Sequence, residues 1–348
     1  MTKDEKYIAR CIQLARNGLC NTAPNPMVGA VIVHNDRIIG EGYHVRCGEA
    51  HAEVNAIRSV KDKSLLEEST IYVSLEPCSH YGKTPPCSDL IIEKKIPKVV
   101  IGCMDPFSLV AGRGIEKLCH AGIDVTVGIL EKECRELIRR FTTFHTHKRP
   151  YILLKWAQSA DGFIDMKRTH GSPVLLSTPL TSMLVHKKRA EHDAILIGRK
   201  TALLDNPSLT TRHWKGKSPI RLIIDKDLEL PDYLHIFDDT ESTIVFTQKH
   251  KTSLHQKTEF VNLDFSKNIL PQIMKILYEK KIQSLIVEGG SILLQSFIDS
   301  GIWDEACIET SPILLKEGIK APHIQEGLLN FTKNHFGRSF KYTFNRIF

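Results

Sequence analysis

The sequence predicts two α/β domains in series. In the first 146 residues, buried-type strands such as Val28–Val33 and Thr70–Leu75 alternate with helical patterns after an opening hairpin, which is typical of an α/β/α sandwich. From residue 150 a second alternation of strands and helices begins. The length of 348 residues also exceeds that of one typical domain. We therefore expect domains at 1–146 and 150–348.

In the first domain, apolar residues at spacings of three and four predict helices, and short apolar runs bounded by turn residues predict strands. The turn-forming residues His34–Arg37 predict an antiparallel hairpin. The expected elements are helix Asp4–Asn17, strands Val28–Val33 and Ile38–His44, helix His51–Val60, strand Thr70–Leu75, helix Ser88–Lys95, strand Lys98–Gly102, helix Gly114–Ala121, strand Asp124–Gly128 and one long helix Glu131–His145.

The domain boundary is expected at Thr146–Pro150, where charge and proline concentrate before a new apolar strand. The final segment, Phe336–Phe348, alternates weakly, and we expect it to pair at a sheet edge. Between them lie predicted strands Tyr151–Ala157, Ala194–Gly198, Ile220–Asp225, Thr243–Thr247, Ser284–Gly290 and Glu305–Ser311, and helices Leu270–Lys280 and Ile292–Ser300.

The composition is that of an ordinary globular protein, with 42% hydrophobic and 25% charged residues. No apolar run approaches the roughly 20 residues that span a bilayer, and the polar start M-T-K-D-E-K is unlike a secretory signal. Nine scattered cysteines favour reduced thiols over a disulfide framework. We expect a cytoplasmic protein without a membrane partner. The net charge of +7 is modest and no dense Lys/Arg block occurs, so we expect no nucleic-acid partner.

A candidate catalytic metal site organises the first domain. His51 opens a helix, Cys78 follows a strand within a Pro-Cys pair, and Cys87 precedes the next helix. One imidazole and two thiolates give zinc three ligands and leave a fourth position for water. Glu53, two residues after the histidine, is placed to carry protons between that water and a departing amine, as in zinc deaminases. In the alternative interpretation, the histidine only packs at a helix start and the cysteines are ordinary buried thiols.

The stretches N-P-M-V-G, H-A-E and P-C-S-H-Y-G-K-T-P-P-C closely resemble the deaminase half of the bifunctional riboflavin-biosynthesis deaminase/reductase. The resemblance implies a cytidine-deaminase-like fold, Zn²⁺ on the three ligands, Glu53 as the proton shuttle, and a pyrimidine ribosyl phosphate as substrate. It also implies that Asn25 and His44 contact the base or ribose, and that His80, Lys83 and Asp105 surround the phosphate end. One departure is Phe107, where the family usually has asparagine.

The second domain lacks Gly-x-Gly-x-x-Gly, but V-E-G-G-S at Val287–Ser291 runs from a strand through two glycines into a helix. This motif, S-A-D-G at Ser159–Gly162 and the run Arg189–Arg212 are similar to the reductase half of the same family. The resemblance implies a dihydrofolate-reductase-like fold that uses NADPH. Leu175 stands where the family commonly has tryptophan.

The residues carried over from the reductase half form two groups. The expected cofactor-binding residues are Gln158, Thr201, Asp205, Gly290, Ser291, Ile292, Leu293, Leu294, Gln295 and Ser296, and the expected substrate-binding residues are Arg189, Leu209, Arg212 and Glu288. Guanidinium groups such as those of Arg189 and Arg212 suit a phosphate, because each presents a fork of N–H donors.

The resulting hypothesis is a two-step enzyme of riboflavin biosynthesis. It would deaminate 2,5-diamino-6-ribosylamino-4(3H)-pyrimidinone 5′-phosphate and then reduce the ribosyl group to ribityl with NADPH. We expect a small phosphorylated pyrimidine as the partner and a homo-oligomeric assembly. Two alternatives remain open at this point: a monofunctional deaminase with a degenerate phosphate-binding second domain, and a nucleic-acid or tRNA deaminase module.

Overall fold

The structure is a computed structural model that describes residues 1–81, 85–106, 112–250 and 255–345. The chain divides into two compact units between Lys148 and Arg149. None of the helices in the described part of the chain combines the length and apolar character that a bilayer crossing requires.

The first unit contains a five-stranded mixed sheet. Its order is β2-β1-β3-β4-β5, in which β1 is antiparallel to both neighbours and β3, β4 and β5 run parallel. The elements are α1 (Lys3–Ala15), β1 (Gly29–His34), β2 (Arg37–Tyr43), α2 (Ala52–Ser59), β3 (Thr70–Leu75), α3 (Cys87–Glu93), β4 (Lys98–Cys103), α4 (Arg113–His120), β5 (Asp124–Val127), α5 (Glu131–Leu137) and α6 (Arg139–His147).

Both faces of this sheet are buried, because successive side chains of a strand point to opposite faces. On β1, Val31 and Val33 pack in one apolar cluster with α1, α5 and α6, whereas Ala30 and Ile32 pack in a second cluster with α2, α3 and α4. The helices therefore form a layer on each side of the sheet. This arrangement confirms the predicted α/β/α sandwich.

The prediction of one long helix over Glu131–His145 is wrong, since the segment forms two helices that meet at Ile138. The backbone of Ile138, at φ −100° and ψ 12°, leaves the α-helical region and ends the first helix. The second helix turns Phe141 into the apolar cluster of the sheet. The break in the helix thus accompanies the burial of an aromatic side chain, which a straight polar helix was not expected to provide.

The second unit contains a nine-stranded sheet of order β11-β10-β9-β8-β12-β6-β13-β16-β15, and a separate pair, β7 with β14. Seven neighbouring strands, from β11 to β13, are parallel. The elements are β6 (Tyr151–Gln158), β7 (Phe163–Asp165), α7 (Pro179–Ala190), β8 (Ala194–Gly198), α8 (Arg199–Asp205), β9 (Ile220–Ile224), β10 (Thr243–Thr247), β11 (Thr258–Asn262), α9 (Ile269–Glu279), β12 (Ser284–Val287), α10 (Ser291–Asp299), β13 (Glu305–Thr310), β14 (Ile319–Lys320), β15 (Leu329–His335) and β16 (Arg338–Phe344).

The expectation of an edge strand at the end of the chain is also wrong. Strand β16 pairs with β13 on one side and with β15 on the other, so β15 is the edge strand. Phe336 and Gly337 join the two strands with positive φ angles of 51° and 74°, a backbone that suits a two-residue hairpin. The sequence pattern missed β15 because this strand is polar and exposed over almost its whole length.

Candidate active sites

The three predicted metal ligands meet at the starts of two helices. His51 is the N-cap residue of α2, Cys87 is the first residue of α3, and Cys78 lies in the loop that follows β3. His51 Nδ1 is 3.6 Å from Cys78 Sγ and 3.4 Å from Cys87 Sγ, and the three ligand atoms all lie within 4.8 Å of one another. Ordinary zinc–sulfur and zinc–nitrogen bonds in a tetrahedron place sulfur and nitrogen about 3.6 Å apart. The residues present therefore fit a zinc ion.

The charges of this group suit a cation. Hydrogen bonds from Cys87 and His51 lower the pKa of Cys78 to about 4, against the opposing effect of its burial. The backbone N–H of Cys87 donates to the Cys78 sulfur at 3.2 Å, as expected at the start of a helix, where N–H groups favour a thiolate. Among the described residues, these three form the one group of histidine, cysteine and acidic side chains that is close enough to hold a metal ion. A tetrahedral ion held here keeps one position for a non-protein ligand.

Glu53 lies beside the ligands in the first turn of α2 and is only 3% exposed. Burial, followed by the neighbouring Cys78 thiolate, raises the pKa of Glu53 to about 7. A metal cation at the three ligands would act in the opposite direction, because it favours the charged carboxylate. The side chain is thus a buried acid group next to the metal position, where a proton carrier is needed.

A cavity of about 410 Å³ adjoins this group. His44 and Asn25 form part of its wall and are joined by a hydrogen bond of 3.1 Å between Asn25 Nδ2 and His44 Nε2. His44 Nδ1 lies 3.1 Å from the carbonyl oxygen of Ala50, so Nδ1 carries the proton and Nε2 accepts from the amide. Burial lowers the pKa of His44, which favours this neutral form.

The structure describes two of the three residues that the sequence analysis expects at the phosphate end. His80 and Asp105 line the same cavity as Glu53 and His44. Lys83 and the Phe107 departure lie outside the described residues. The cavity thus joins the metal position to two of the three residues expected at the phosphate end.

Glu76 is a buried residue of this cavity that the sequence analysis missed. Its carboxylate accepts four backbone N–H groups: those of Asp105 at 3.2 Å, Gly112 at 3.0 Å, Gly114 at 2.9 Å and Ile115 at 3.4 Å. It thereby holds the start of α4 and the backbone of Asp105 against the loop that carries Cys78. A glutamate between a buried strand and a proline was the available signal, because an acid there requires donors from elsewhere.

A larger cavity of about 900 Å³ lies in the second unit. It is lined by eight of the ten predicted cofactor residues: Thr201, Asp205, Gly290, Ser291, Ile292, Leu293, Leu294 and Ser296. Gln158 and Gln295 are not among its lining residues. The Gln158 side chain accepts from the Trp156 indole at 2.9 Å, and the Gln295 side chain bonds the backbone of His323.

The two glycines of the V-E-G-G-S motif permit close packing at this cavity. A Cβ atom on Gly289 would lie 2.7 Å from Ile197, and one on Gly290 would lie 3.3 Å from the Thr201 hydroxyl. Gly290 also has a positive φ of 70°. The glycines therefore let the start of α10 approach β8 and α8, and larger residues would separate these walls.

Contacts through Arg189 and Thr210 join the four predicted substrate residues of this unit into one cluster. The Arg189 guanidinium forms two bonds with the Glu288 carboxylate, of 3.1 and 2.6 Å, and donates to the Thr210 carbonyl at 3.3 Å. Arg212 donates to the Thr210 hydroxyl at 3.1 Å. Leu209, the residue before Thr210, is only 2% exposed to solvent. Since Glu288 also lines the cavity, this cluster adjoins the cofactor residues.

Two charged residues of the cavity were missed. Lys155 of β6 is 8% exposed, and its positive charge helps to lower the pKa of Glu288. Arg168 bonds Asp165 at 2.7 Å and pairs with the predicted cofactor residue Asp205. Leu175, the departure noted in the sequence, is 81% exposed while it lines the same cavity.

Comparison with known proteins decides the family. A model of the RibD C-terminal domain matches residues 150–342, and a model of the cytidine and deoxycytidylate deaminase zinc-binding region matches residues 1–103. The riboflavin biosynthesis protein RibD of Aquifex aeolicus is 40% identical over 91% of this chain and 89% of its own. The chain belongs to the RibD family. Another RibD-family relative, from Escherichia coli, is 36% identical over 90% of this chain and 89% of its own length.

Solved structures of the RibD family give the same result. A diaminohydroxyphosphoribosylaminopyrimidine deaminase/5-amino-6-(5-phosphoribosylamino)uracil reductase from Thermotoga maritima matches with a TM-score of 0.88 and 36% identity over 98% of both chains. RibD of Acinetobacter baumannii matches with a TM-score of 0.86 and 29% identity, again over 98% of both. The predicted fold class, a cytidine-deaminase-like sandwich followed by a dihydrofolate-reductase-like domain, is confirmed.

This RibD-family chain is therefore a bifunctional enzyme of riboflavin biosynthesis, with a deaminase and a reductase domain. The comparisons favour this hypothesis over a monofunctional deaminase and over a nucleic-acid deaminase module. The two domains imply zinc and a nicotinamide cofactor, and the substrates are small phosphorylated pyrimidines.

Proposed function

We propose that the first unit removes an amine from 2,5-diamino-6-ribosylamino-4(3H)-pyrimidinone 5′-phosphate and that the second unit reduces the ribosyl group of the product with NADPH. The observation that carries the first step is the grouping of His51, Cys78 and Cys87, in which the imidazole nitrogen lies 3.6 and 3.4 Å from the two sulfurs, close to the edge length of a zinc tetrahedron. The buried Glu53 beside them supplies the acid–base group of the reaction.

In the deaminase unit, a zinc ion held by His51, Cys78 and Cys87 would act as a Lewis acid and lower the pKa of a bound water. Glu53 is placed to accept a proton from an attacking water and to return it to the amine, so that a bond from the ring carbon to oxygen would replace the bond to nitrogen and ammonia would leave. His44 and Asn25, already joined by a hydrogen bond, bind the ring or the ribose. His80 and Asp105 lie along the same cavity, which supports a role for both at the phosphate end.

In the reductase unit, Thr201, Asp205 and the start of α10, which line the cavity of about 900 Å³, would hold NADPH. Two basic residues that line this cavity, Arg199 and Lys200, support the phosphorylated cofactor over NADH. NADPH bound there would supply the hydride for C1′ of the ribosyl group, while the bond from C1′ to the sugar ring oxygen opens and that oxygen takes a proton from solvent. Arg189 and Arg212 bind the substrate phosphate, and Glu288 orients Arg189 through their two-bond ion pair.

One assay tests both steps. Purified protein is given the diaminopyrimidine ribosyl phosphate, and ammonia is measured first without NADPH and then with it. We expect one zinc per chain, ammonia release without the cofactor, and NADPH consumption only after deamination. Ammonia release from a metal-free preparation would refute the zinc mechanism, and no NADPH consumption with the deaminated product would refute the second step.

The homo-oligomeric assembly and the cytoplasmic location stay predictions from the sequence. Light scattering coupled to size-exclusion chromatography measures the first. A mass equal to the 39.4 kDa of a single chain would refute it.

A further inference from the structure

His186 is a buried side chain next to the candidate phosphate site of the reductase unit. It lies on α7 three residues before Arg189, so both side chains project from the same face of the helix. His186 is 4% exposed. The sequence analysis assigned no role to His186. It is not a lining residue of the cofactor cavity.

The ring of His186 accepts a hydrogen bond from the backbone of the neighbouring loop. The N–H of Arg212 donates to His186 Nδ1 at 3.0 Å. Since Nδ1 is the acceptor, the ring proton sits on Nε2. The ring of His213 packs edge-on against it, with centroids 4.7 Å apart. The histidine therefore fixes the main chain at the residue that carries one of the two arginines.

The same loop is fixed at a second point by the same helix. Arg189 donates to the carbonyl oxygen of Thr210 at 3.3 Å, and Arg212 donates to the Thr210 hydroxyl at 3.1 Å. Leu209 enters this loop with a positive φ of 54°, a conformation that is unfavourable for leucine and that the surrounding contacts must maintain. Two side chains of α7 thus hold the loop that presents Arg212.

We propose that His186 is a positioning residue of the reductase: its neutral ring holds the Arg212 main chain so that the Arg212 guanidinium converges with that of Arg189 on the substrate phosphate. This inference rests on the proposed phosphate-binding role of the two arginines. Burial, followed by the charges of Arg189, His213 and Arg212, lowers the pKa of His186 to about 4. The ring consequently keeps its acceptor at neutral pH and adds no positive charge to compete with the guanidinium groups.

Two substitutions separate this role from a packing role. His186→Leu keeps most of the buried volume but removes the acceptor. His186→Asn places a carbonyl oxygen near the position of Nδ1 and retains it. His250→Leu, at an exposed histidine outside the lining of the cofactor cavity, is the matched control. Deamination by the same preparation, which depends on the other unit, checks that the chain remains intact.

For His186→Leu we expect the reductase KM for the phosphorylated substrate to rise about tenfold with kcat little changed, the loss that corresponds to one weakened charged contact. The Kd of NADPH, measured by fluorescence, should stay constant. His186→Asn should restore most of the KM. A packing defect alone would lower kcat and NADPH binding together, and the asparagine variant would not rescue it.

Arg212→Ala distinguishes failure of this inference from failure of the proposed function. If Arg212→Ala raises the KM but His186→Leu does not, the phosphate site stands and the role of His186 is refuted. If Arg212→Ala leaves the KM unchanged, the phosphate site itself is wrong, and the inference falls with it.

Discussion

Replacing Glu76 should destabilise the deaminase unit strongly, because its carboxylate accepts four backbone N–H groups that belong to two segments of the chain. The two shortest bonds, from Gly114 at 2.9 Å and Gly112 at 3.0 Å, are the strongest. At about 1.5 kcal/mol for each hydrogen bond to a charged group, these two alone predict that Glu76→Ala lowers the free energy of unfolding by about 3 kcal/mol. Glu76→Gln retains one acceptor oxygen, so we expect roughly half of that loss.

The same change should impair deamination, because the N–H of Asp105 is one of the four donors and Asp105 lines the cavity. Urea unfolding followed by far-ultraviolet circular dichroism measures the stability. Tryptophan fluorescence reports separately on the reductase unit, since Trp156, Trp214 and Trp303 all lie there.

Glu116→Ala, which removes an exposed carboxylate from α4, is the matched control for the Glu76 variants. It should change the free energy of unfolding by no more than about 0.5 kcal/mol. A loss below about 1 kcal/mol for Glu76→Ala would refute the reasoning, since it would mean that the four N–H groups find other partners at little cost.

Three further changes test the sites. Glu53→Gln should slow deamination by about 10²- to 10⁴-fold while zinc content and NADPH-dependent reduction remain; an equal loss of both activities would contradict this assignment. Cys87→Ser should lower the zinc content and abolish deamination but spare reduction, measured by metal analysis and NADPH absorbance. Glu288→Gln should destabilise the reductase unit by about 3–5 kcal/mol, because it leaves Arg189 buried without its carboxylate. Burial would raise the pKa of Glu288, but Arg189 outweighs it and the pKa lies below its ordinary value. The stabilisation is therefore complete above about pH 4.3 and is lost as the pH falls through the lowered pKa; tryptophan fluorescence during unfolding at several pH values should show this in the native protein and not in the variant.

The grouping of the three candidate metal ligands was predictable because each is marked by local sequence. His51 and Cys87 begin helices, and Cys78 follows a buried strand, so short-range patterns place all three at one edge of the sheet. Strand Thr70–Leu75 likewise has the predicted bounds. Where partners were distant or polar, the pattern failed: the break at Ile138 depends on where the following aromatic residues pack, and strand β15 has no apolar alternation to reveal it.

The partners of Glu76 and His186 could not be identified from the sequence, because they are backbone N–H groups far along the chain. The Glu76 carboxylate reaches Gly112, 36 positions away, and the His186 ring reaches Arg212, 26 positions away. The residue type of the donor does not mark such a contact, since every non-proline residue carries the same backbone N–H. Contacts of this kind become visible only once the topology brings the segments together.

The short covalent distance between Glu76 and Cys78 has a consequence for inhibitor design. Their Cα atoms lie at most about 7 Å apart, so the candidate ligand Cys78 and the carboxylate that accepts from the Asp105 N–H belong to one short segment. A molecule that joins a metal-chelating head to a group that contacts the cavity wall at Asp105 therefore needs only a short linker. Making that linker stiff would reduce the conformational entropy that such a compound loses on binding.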